Sequence, residues 1–310
     1  MSIPEVPEVE TIARGLNGRV TGDVIESVWL GSKPEPLKSA AAEIASTLES
    51  RRIAGVRRVG KHIVFDLEVD GKIASRAARG RRTAGLRPAG TRGDARPHLG
   101  SGTALTGAAT GKAQWIVHLG MTGRLLVCSP SAELEKHTHA VVKLASGREL
   151  RLVDPRRFGR LSVVRNGDFV AAGTEPLDIE VERFIELFRG RKTPMKSALL
   201  NQKLLRGVGN IYADESLFRA GVRPRRRAAT LTREQLKRLY ASIREVLQEA
   251  IALGGSSISD YVDADGEEGF FQLQHRVYGR EGERCLVCRT PIKRIVIAGR
   301  SSHYCRKCQK

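Results

Sequence analysis

The sequence predicts an α+β protein of several domains: a β-sandwich with flanking helices, then a helical domain, then a small zinc-binding hairpin. Three observations support this fold class. Short β-type runs fill the first half of the chain, an amphipathic helical pattern spans residues 231–253, and two C-x-x-C pairs lie close to the carboxyl terminus. A chain of 310 residues also exceeds the usual size of a single hydrophobic core.

The first predicted element is a helix that follows the motif PEVPEVET. Apolar residues at positions 9, 12, 13 and 16 have the i, i+3, i+4, i+7 spacing of one helical face. Pro7 suits the first turn of a helix, where the helix dipole would stabilise Glu8 and Glu10. We therefore expect a helix from about Pro7.

Six short runs with strand character come next, with turn residues such as Ser146-Gly147 between some of them. Their regular spacing predicts a β-sandwich or a barrel-like domain. After about Gly173 the pattern becomes helical, and in the 231–253 helix Thr232 and Gln235 resemble a capping box. The six runs are 53–59, 62–67, 115–119, 125–127, 140–144 and 149–153.

Residues 73–112 have a different composition, rich in Arg, Gly, Ala and Thr and without periodicity. Such a segment buries too little apolar surface to offset the entropy of ordering it. We predict a disordered, solvated insertion between two strands. The alternative is that its arginines contact phosphate.

The charge of the chain indicates a polyanionic partner. There are 53 Lys and Arg residues against 34 Asp and Glu, a net charge of +19. Nucleic acid is favoured over a membrane, because no segment approaches the roughly 18 apolar residues of a membrane span. Acidic residues near the start also differ from the basic start of a signal peptide, so we expect a cytoplasmic protein.

Four of the five cysteines form two C-x-x-C pairs separated by sixteen residues. This spacing fits a structural zinc site, whereas a reducing compartment disfavours disulfides. Four thiolates complete the coordination of the metal, so they leave no open position for catalysis and no need for His303 as a substitute ligand. We interpret the site as a clip that directs basic residues of the hairpin, among them Arg300, toward an anion. The predicted ligands of one Zn²⁺ ion are Cys285, Cys288, Cys305 and Cys308.

Three further motifs each leave two interpretations open. In RGVGNIYADE the backbone N–H groups around Gly207 and Gly209, with Asn210, would be free to meet a phosphate, or the glycines would only allow a packing turn. In HLGMTGRL and DPRRFG, Met121 and Phe158 would either pack in the core or form an apolar wedge of the type that enters a base stack.

The order of these motifs resembles the formamidopyrimidine-DNA glycosylase family, the bacterial enzymes that repair oxidised guanine. PEVPEVET, Gly60-Lys61, HLGMTGRL, EKHTH, DPRRFGR, GVGNIYADESLFRAG, GGSSISDYV, VYGREGERC and the cysteine hairpin follow one another as in that family. The resemblance covers the chain except the 73–112 insertion. It implies base-excision repair of duplex DNA by a monomer, with Zn²⁺ as the one metal and no membrane partner.

The resemblance implies four catalytic residues. Pro4 matches the nucleophile, whose secondary amine attacks the sugar C1′ and forms an iminium. Glu5 matches the acid that moves protons during ring opening and elimination, and Lys61 matches a lysine that contacts phosphate. Arg300 matches the zinc-hairpin arginine that grips the phosphate at the lesion and takes part in δ-elimination.

The resemblance also implies a DNA-binding set and three domains. His137, Arg156 and Lys192 match DNA-contacting positions, and Asn210 matches the asparagine of a helix-two-turn-helix domain. Met121 and Phe158, with Arg156, match the trio that fills the gap left by the flipped base. The implied domains are 1–172 for the catalytic sandwich, 173–262 for the helix-two-turn-helix domain and 263–310 for a segment with the zinc finger at 285–308.

Two departures from the family pattern bear on activity. Residues 1–3 precede Pro4, and with them in place Pro4 is a tertiary amide and cannot be a nucleophile. We expect the active form to begin at Pro4, through processing or a later start of translation. The 73–112 insertion should leave the fold intact, because hairpin tips tolerate long loops at modest closure cost.

Two other functions stay open at this stage. One is an oxidised-pyrimidine glycosylase of the same superfamily, although PEVPEVET and GGSSISDYV lean toward the purine enzyme. The other is a zinc-hairpin protein that binds lesions without cutting, which a blocked Pro4 would produce. Comparing the cutting of 8-oxoguanine duplexes with that of thymine glycol duplexes separates the two enzymes. Lesion-specific binding without cutting would indicate the non-catalytic protein.

Overall fold

The computed structural model describes residues 4–69, 111–257, 264 and 266–310. Residues 1–3, which bear on the amine of Pro4, lie outside this part of the chain. So does the predicted insertion, except Gly111 and Lys112, and its predicted disorder stays a prediction.

The first helix, α1 (Val6–Val20), begins one residue earlier than the sequence indicated. Glu5 is its N-cap. Glu5 and Glu8 form a capping box, in which the side chain of each residue accepts a hydrogen bond from the backbone N–H of the other. The predicted apolar stripe is buried against the sandwich, while Val6 packs in a second core made by the helical part. One helix therefore contributes to both cores.

Two antiparallel four-stranded sheets form the predicted sandwich. One sheet has the order β1-β6-β7-β5 and the other the order β2-β3-β4-β8. Side chains from both sheets meet in one core, where Phe65 and Trp115 pack as cross-strand neighbours with ring centroids 4.6 Å apart. The strands are β1 (Ile25–Leu30), β2 (Arg51–Val59), β3 (His62–Val69), β4 (Ala113–His118), β5 (Arg124–Cys128), β6 (Thr138–Leu144), β7 (Glu149–Val153) and β8 (Arg160–Arg165).

All six predicted strand runs are confirmed, and β1 and β8 are additions that the sequence analysis did not name. A short helix, α2 (Ala41–Leu48), covers the same core. The β2–β3 hairpin turns at Gly60, which has a φ of +61°, a left-handed conformation that glycine adopts without strain. This turn places Lys61 at one end of the sandwich.

Among the described residues, four α-helices of the helical part pack around a core of their own. The last of them confirms the long helix of the sequence analysis, with Thr232 as N-cap and Gln235 completing the predicted capping box. The helices are α3 (Val181–Phe188), α4 (Met195–Leu199), α5 (Asn210–Arg219) and α6 (Arg233–Ala252).

The carboxyl-terminal segment forms a two-stranded antiparallel hairpin, β9 (Lys293–Ile297) and β10 (Arg300–Tyr304). Its small core joins Phe218 of α5 to two of the cysteines. The hairpin is thus packed on the helical part, as the predicted fold class requires. None of the helices in the described ranges is long and apolar enough to cross a membrane.

We predict that Leu16→Ala lowers the free energy of unfolding by about 2–5 kcal/mol, because Leu16 is fully buried in the sandwich core. Urea denaturation measures the change. Leu134→Ala is the matched control, since Leu134 is 54% exposed and its truncation should cost less than about 0.5 kcal/mol. Equal losses in the two variants would contradict the packing of α1 described above.

Candidate functional site

A cavity of about 450 Å³ lies between the β2–β3 hairpin, the loop that precedes α5 and the zinc hairpin. Four residues that the sequence analysis assigned to the site line it together: Glu5, Lys61, Asn210 and Arg300. Pro4 directly precedes Glu5 and is half-buried. Residues from distant parts of the sequence therefore meet at one opening of a size that suits a nucleotide rather than a water molecule.

Glu5 is held between the starts of two helices. It caps α1, and its carboxylate accepts hydrogen bonds from the backbone N–H groups of Gly209 at 2.8 Å and Ile211 at 3.2 Å, at the start of α5. A Cβ atom at position 209 would overlap the Glu5 carboxyl group, so only glycine permits this contact. Both helix dipoles point their positive ends toward the acid.

This arrangement corrects one interpretation from the sequence. Of the two interpretations left open for the glycines, free N–H groups for a phosphate is the wrong one, because Gly209 donates to Glu5 and Gly207 donates to Gln202 Oε1 at 2.8 Å. The physical reason is that a buried acid needs donors, and the nearest are the unpaired N–H groups of a helix start. Asn210 still faces the cavity, where its amide donates to Ser301 Oγ at 3.3 Å.

Burial raises the pKa of Glu5 from 4.5 to about 7, although the nearby Lys61 ammonium opposes the shift. Glu5 can therefore hold or release a proton near neutral pH, which suits a general acid and base. The Lys61 side chain is half-buried, and desolvation lowers its pKa while the Glu5 and Glu8 carboxylates oppose that shift. Each of the two groups therefore stabilises the charged form of the other.

The sequence analysis did not identify Glu8 as part of this site. Its carboxylate accepts hydrogen bonds from the Glu5 backbone N–H at 2.8 Å, from the Ser256 backbone N–H at 2.8 Å and from the Tyr212 hydroxyl. Burial raises the pKa of Glu8 as well. The capping-box spacing of the two acids was a signal, but acids in the first turn of a helix are usually solvated.

A buried ion network fixes the turn that carries Lys61. The Glu175 carboxylate accepts a hydrogen bond from the Gly60 N–H at 2.7 Å and pairs with Arg58 at 2.7 Å and Arg206 at 2.9 Å. Arg58 also donates to the Gly60 carbonyl at 3.1 Å and pairs with Glu10 of α1 at 2.8 Å. Hydrogen bonds therefore fix both the N–H and the carbonyl of Gly60, the residue before Lys61.

The four predicted cysteines form a metal site. Their sulfur atoms all lie within 4.8 Å of one another, with Cys285 and Cys308 at 3.8 Å and Cys288 and Cys305 at 3.3 Å. Tetrahedral zinc with Zn–S bonds of about 2.3 Å separates its sulfurs by about 3.8 Å, so the set fits one Zn²⁺ ion. The ion would hold the loops at the base of the hairpin.

The sequence analysis expected His303 to lie outside the set of zinc ligands, and its contacts are with Asp214 instead. Its backbone N–H donates to Asp214 Oδ2 at 2.8 Å, and its ring Nδ1 lies 3.4 Å from the same atom. Asp214 also pairs with Lys196 at 2.7 Å, and both side chains are fully buried. This buried pair anchors β10 on α5, and so it positions the exposed Arg300 at the cavity.

Asp154 joins the two loops in which an apolar wedge was one interpretation, 118–125 and 154–159, which we call the wedge loops. Its carboxylate accepts hydrogen bonds from Thr122 Oγ1 at 2.6 Å and from the Gly159 N–H at 2.7 Å. Phe158 is 44% exposed, with the Arg156 guanidinium 4.7 Å from the centre of its ring. Core packing is therefore the wrong interpretation for Phe158. Met121 is half-buried, so its exposure does not decide between core packing and an apolar wedge.

Two predicted DNA-contacting residues, His137 and Lys192, are exposed and lie outside the lining of the cavity. Two lining residues were missed. The Tyr278 hydroxyl accepts a hydrogen bond from the Asn210 amide at 3.5 Å, and burial lowers the pKa of His118 to about 4, so its ring is neutral at pH 7. Both residues lie in motifs that the sequence analysis quoted without separating their members.

We predict that Glu5→Gln changes the pH dependence of stability. Since the Glu5 pKa rises from 4.5 to about 7 on folding, the folded protein loses stability as pH rises through that window, by up to about 3 kcal/mol. The glutamine variant has no such loss, so its stability relative to the native protein should grow from pH 4.5 to 8. Urea denaturation at each pH measures this.

Glu26→Gln is the control for that experiment, because Glu26 is an exposed carboxylate on β1. A difference between Glu5→Gln and the native protein that stays constant from pH 4.5 to 8 would show that the pKa of Glu5 does not change on folding.

We predict that Cys288→Ala removes zinc from the protein and loosens the hairpin, because a site of three thiolates cannot hold the hairpin rigidly. Metal analysis of the purified protein and limited proteolysis of the hairpin measure the two effects. Cys128→Ala is the matched control, since Cys128 lies on β5, away from the cluster. Retention of a full zinc ion by Cys288→Ala would refute the four-cysteine site.

Models of three known protein families match the chain. The formamidopyrimidine-DNA glycosylase N-terminal domain matches residues 3–161, and the formamidopyrimidine-DNA glycosylase H2TH domain matches residues 172–262. A zinc finger found in FPG and IleRS matches residues 282–310.

Individual proteins match along the whole chain. The formamidopyrimidine-DNA glycosylase of Solibacter usitatus is 40% identical over 311 residues, which cover 99% of this chain and 100% of the relative. The enzyme of the same name from Thermus thermophilus is 40% identical over 318 residues, with 99% and 98% covered.

Solved structures are similar over the same length. The MutM (Fpg) protein of Thermus thermophilus has a TM-score of 0.77 and 38% identity, covering 99% of this chain and 98% of its own. Wild-type Lactococcus lactis Fpg with DNA that contains N7-benzyl-Fapy-dG has a TM-score of 0.79 and 30% identity. The same protein with DNA that contains an oxidised pyrimidine has a TM-score of 0.78 and 30% identity, and both complexes cover 99% of this chain and 100% of theirs.

Proposed function

Because the chain belongs to the formamidopyrimidine-DNA glycosylase family, we propose that it removes oxidised purines, 8-oxoguanine and formamidopyrimidines, from duplex DNA. The observation that carries the proposal is the meeting of Glu5, Lys61 and Arg300 at one cavity. Attack at a sugar flanked by phosphates requires an acid with a pKa near neutrality and cationic groups for the phosphates. Glu5 supplies the first, and the half-buried Lys61 and the exposed Arg300 supply the second. The protein acts as a single chain.

Base release requires a nucleophile, and we assign that role to the Pro4 amine. Its nitrogen forms a bond to C1′. The bond from C1′ to the damaged base breaks, and the base leaves with the bonding electron pair. The nitrogen loses its proton and forms an iminium with C1′ as the sugar ring opens. This step needs a secondary amine, so the active form begins at Pro4 without residues 1–3.

Glu5 moves the protons of these steps. In its protonated form it donates to the sugar ring oxygen, which becomes a hydroxyl as the ring opens. The burial of its carboxyl group keeps a substantial fraction of it protonated at neutral pH, and the two backbone N–H donors at the start of α5 stabilise the anion after transfer. The carboxylate can then take up a proton.

The lyase activity follows from the iminium. Loss of a C2′ proton breaks the C3′–O bond and expels the 3′ phosphate in β-elimination. Loss of the C4′ proton then breaks the C5′–O bond and expels the 5′ phosphate in δ-elimination. We propose that Lys61 and Arg300, both at the cavity, bind these phosphates and stabilise their departing charge. Arg300 suits the second elimination because the buried Lys196–Asp214 pair anchors its strand.

The wedge loops supply access to the damaged nucleotide. A flipped base leaves a gap, and breaking its stacking costs a few kcal/mol. The exposed Phe158 ring with the adjacent Arg156 guanidinium offers apolar surface and charge to fill that gap, and Met121 lies in the loop that Asp154 ties to theirs. His137 and Lys192 are proposed to bind flanking phosphates.

Oxidised pyrimidines are a second candidate substrate. The Lactococcus lactis relative has been solved with DNA containing an oxidised pyrimidine, in the same fold as this chain. The cavity volume of about 450 Å³ admits a base of either class. Release of thymine glycol at a rate equal to that of 8-oxoguanine would favour this candidate.

We predict that borohydride traps the protein on an 8-oxoguanine duplex, because borohydride reduces an iminium to a stable amine. Mass mapping of the adduct should locate the DNA on a peptide that begins at Pro4. Glu5→Gln should lower the rate of adduct formation by about 100-fold or more, the scale of a lost general acid. Glu26→Gln, with an exposed acid on β1, should leave the rate unchanged.

Two results would contradict the proposal. Specific binding of the lesion without an adduct or a released base would make the protein a lesion binder. Trapping on Lys61 rather than on Pro4 would move the nucleophile to another residue.

A further inference from the structure

A second cavity, of about 470 Å³, lies on the sheet formed by β2, β3, β4 and β8, and we call it the outer cavity. His62, His118 and Arg160 are direct cross-strand neighbours in its lining, and Ile116 pairs with Ser162 in the next row. Residues opposite one another on neighbouring strands share a face, as do residues two positions apart on one strand. The alternate residues of these strands fill the sandwich core, so the outer cavity lies on the opposite face of the sheet.

Aromatic rings line much of the outer cavity. Phe169 packs with Ile116 in a small apolar cluster, and the centroid of its ring lies 4.9 Å from that of His62. The rings of His62 and His118 have centroids 5.0 Å apart, and the exposed Phe158 also lines the cavity. Flat rings offer stacking surface to a planar ligand, and the volume of the cavity lies in the usual range for small-molecule sites.

The outer cavity carries positive charge and has no carboxylate in its lining. Its cations are the exposed Lys38 and the half-buried Arg160. Within the described ranges, no ion pair includes either side chain. Arg160 donates to the carbonyls of Arg157 at 3.0 Å and Gly159 at 2.7 Å, and these bonds orient its guanidinium without neutralising it. An anionic group is therefore the expected partner.

The two histidines of the lining offer one hydrogen-bond donor and one acceptor. Burial lowers the pKa of both rings, that of His118 to about 4, so both are neutral at pH 7. His118 Nδ1 accepts a hydrogen bond from the Gly120 N–H at 3.0 Å, which leaves the proton on Nε2. His62 Nδ1 donates to the Val59 carbonyl at 3.3 Å, which leaves a lone pair on Nε2. Nucleobase edges also combine donors and acceptors.

We propose that the outer cavity binds a nucleoside monophosphate other than the damaged nucleotide, with the phosphate at Lys38 and Arg160 and the base against the aromatic rings. The rings, the two imidazoles and the two cations match the face, the edge and the phosphate of a nucleotide. The site differs from the first cavity, which Glu5 and Lys61 line. Among the described lining residues, His118 alone belongs to both.

Two sources supply this chemistry. One is a free nucleotide in solution. The other is the nucleotide opposite the lesion, displaced when the ring of Phe158 enters the base stack. This second source rests on the proposed function, because it requires Phe158, which lines the outer cavity, to act as a wedge.

Calorimetric titration of the full chain without DNA tests the site, with dCMP and deoxycytidine as the probes. Lys38→Ala should weaken dCMP binding by about 10-fold, the scale of one lost hydrogen bond to a charged group, and leave deoxycytidine binding unchanged. Lys38 is exposed, so its truncation leaves the fold intact. Lys143→Ala removes the same charge from an exposed position on β6 and should bind both probes like the native protein. Ser162→Phe, which places a ring in the outer cavity, should abolish binding of both probes.

Two duplexes identify the source of the nucleotide. Each contains a tetrahydrofuran residue, which has no base to remove, opposite either cytosine or a second tetrahydrofuran. If the opposite cytosine occupies the outer cavity, Ser162→Phe should weaken binding of the first duplex alone. If the ligand is a free nucleotide, Ser162→Phe should leave the affinity for both duplexes unchanged and abolish dCMP binding.

Two results would overturn the inference. One is equal dCMP affinity in the native protein, Lys38→Ala and Ser162→Phe, together with equal effects on the two duplexes. The other is a loss of dCMP affinity in Arg300→Ala but not in Lys38→Ala, which would place the nucleotide in the first cavity. Neither titration measures base release, so a failure of the proposed base release in its trapping assay is distinguishable from a failure of this inference.

Discussion

The structure depends on one buried carboxylate, Glu5, held between the starts of α1 and α5. The side chain is the N-cap of the helix that belongs to the sandwich core, and it accepts two N–H groups from the helix that belongs to the second core. Burying an acid is costly, and the hydrogen bonds and the neighbouring lysine offset only part of that cost, so its pKa stays raised. The joint between the two cores is therefore also the place where a proton is held near neutral pH.

The same joint explains why other groups are placed precisely relative to Glu5. Lys61 is carried by a turn whose peptide is bound by Glu175 and Arg58, and Glu175 also binds Arg206 in the loop that leads to Gly209. On the opposite side, zinc and the buried Lys196–Asp214 pair fix the hairpin that carries Arg300. Buried ion pairs of this kind contribute little net stability. They do restrict the positions of the catalytic groups, and correct positioning lowers the barrier of the reaction.

Local features of the sequence predicted much of the fold, and distant contacts explain what it missed. Cysteine spacing, the capping box at Thr232 and the strand alternation act over a few residues, so they could be found without a partner. The sequence could not decide whether the Gly209 N–H is free for a phosphate, because Glu5, which binds it, lies more than 200 positions away. Glu8 and Asp214 were missed since an acid in a helix is ordinarily solvated, and only the assembled fold shows that both are buried.

A direct measurement of the Glu5 ionisation tests this account most closely. Carbon-detected NMR titration of labelled glutamate side chains, assigned with Glu5→Gln, gives the midpoint in the native protein and in Lys61→Met. The account predicts a midpoint of about 7 that rises when the lysine cation is removed, because burial raises the pKa and Lys61 lowers it. A midpoint near 4.5, or one that does not respond to Lys61, would show that the carboxylate is neither desolvated nor coupled to the lysine.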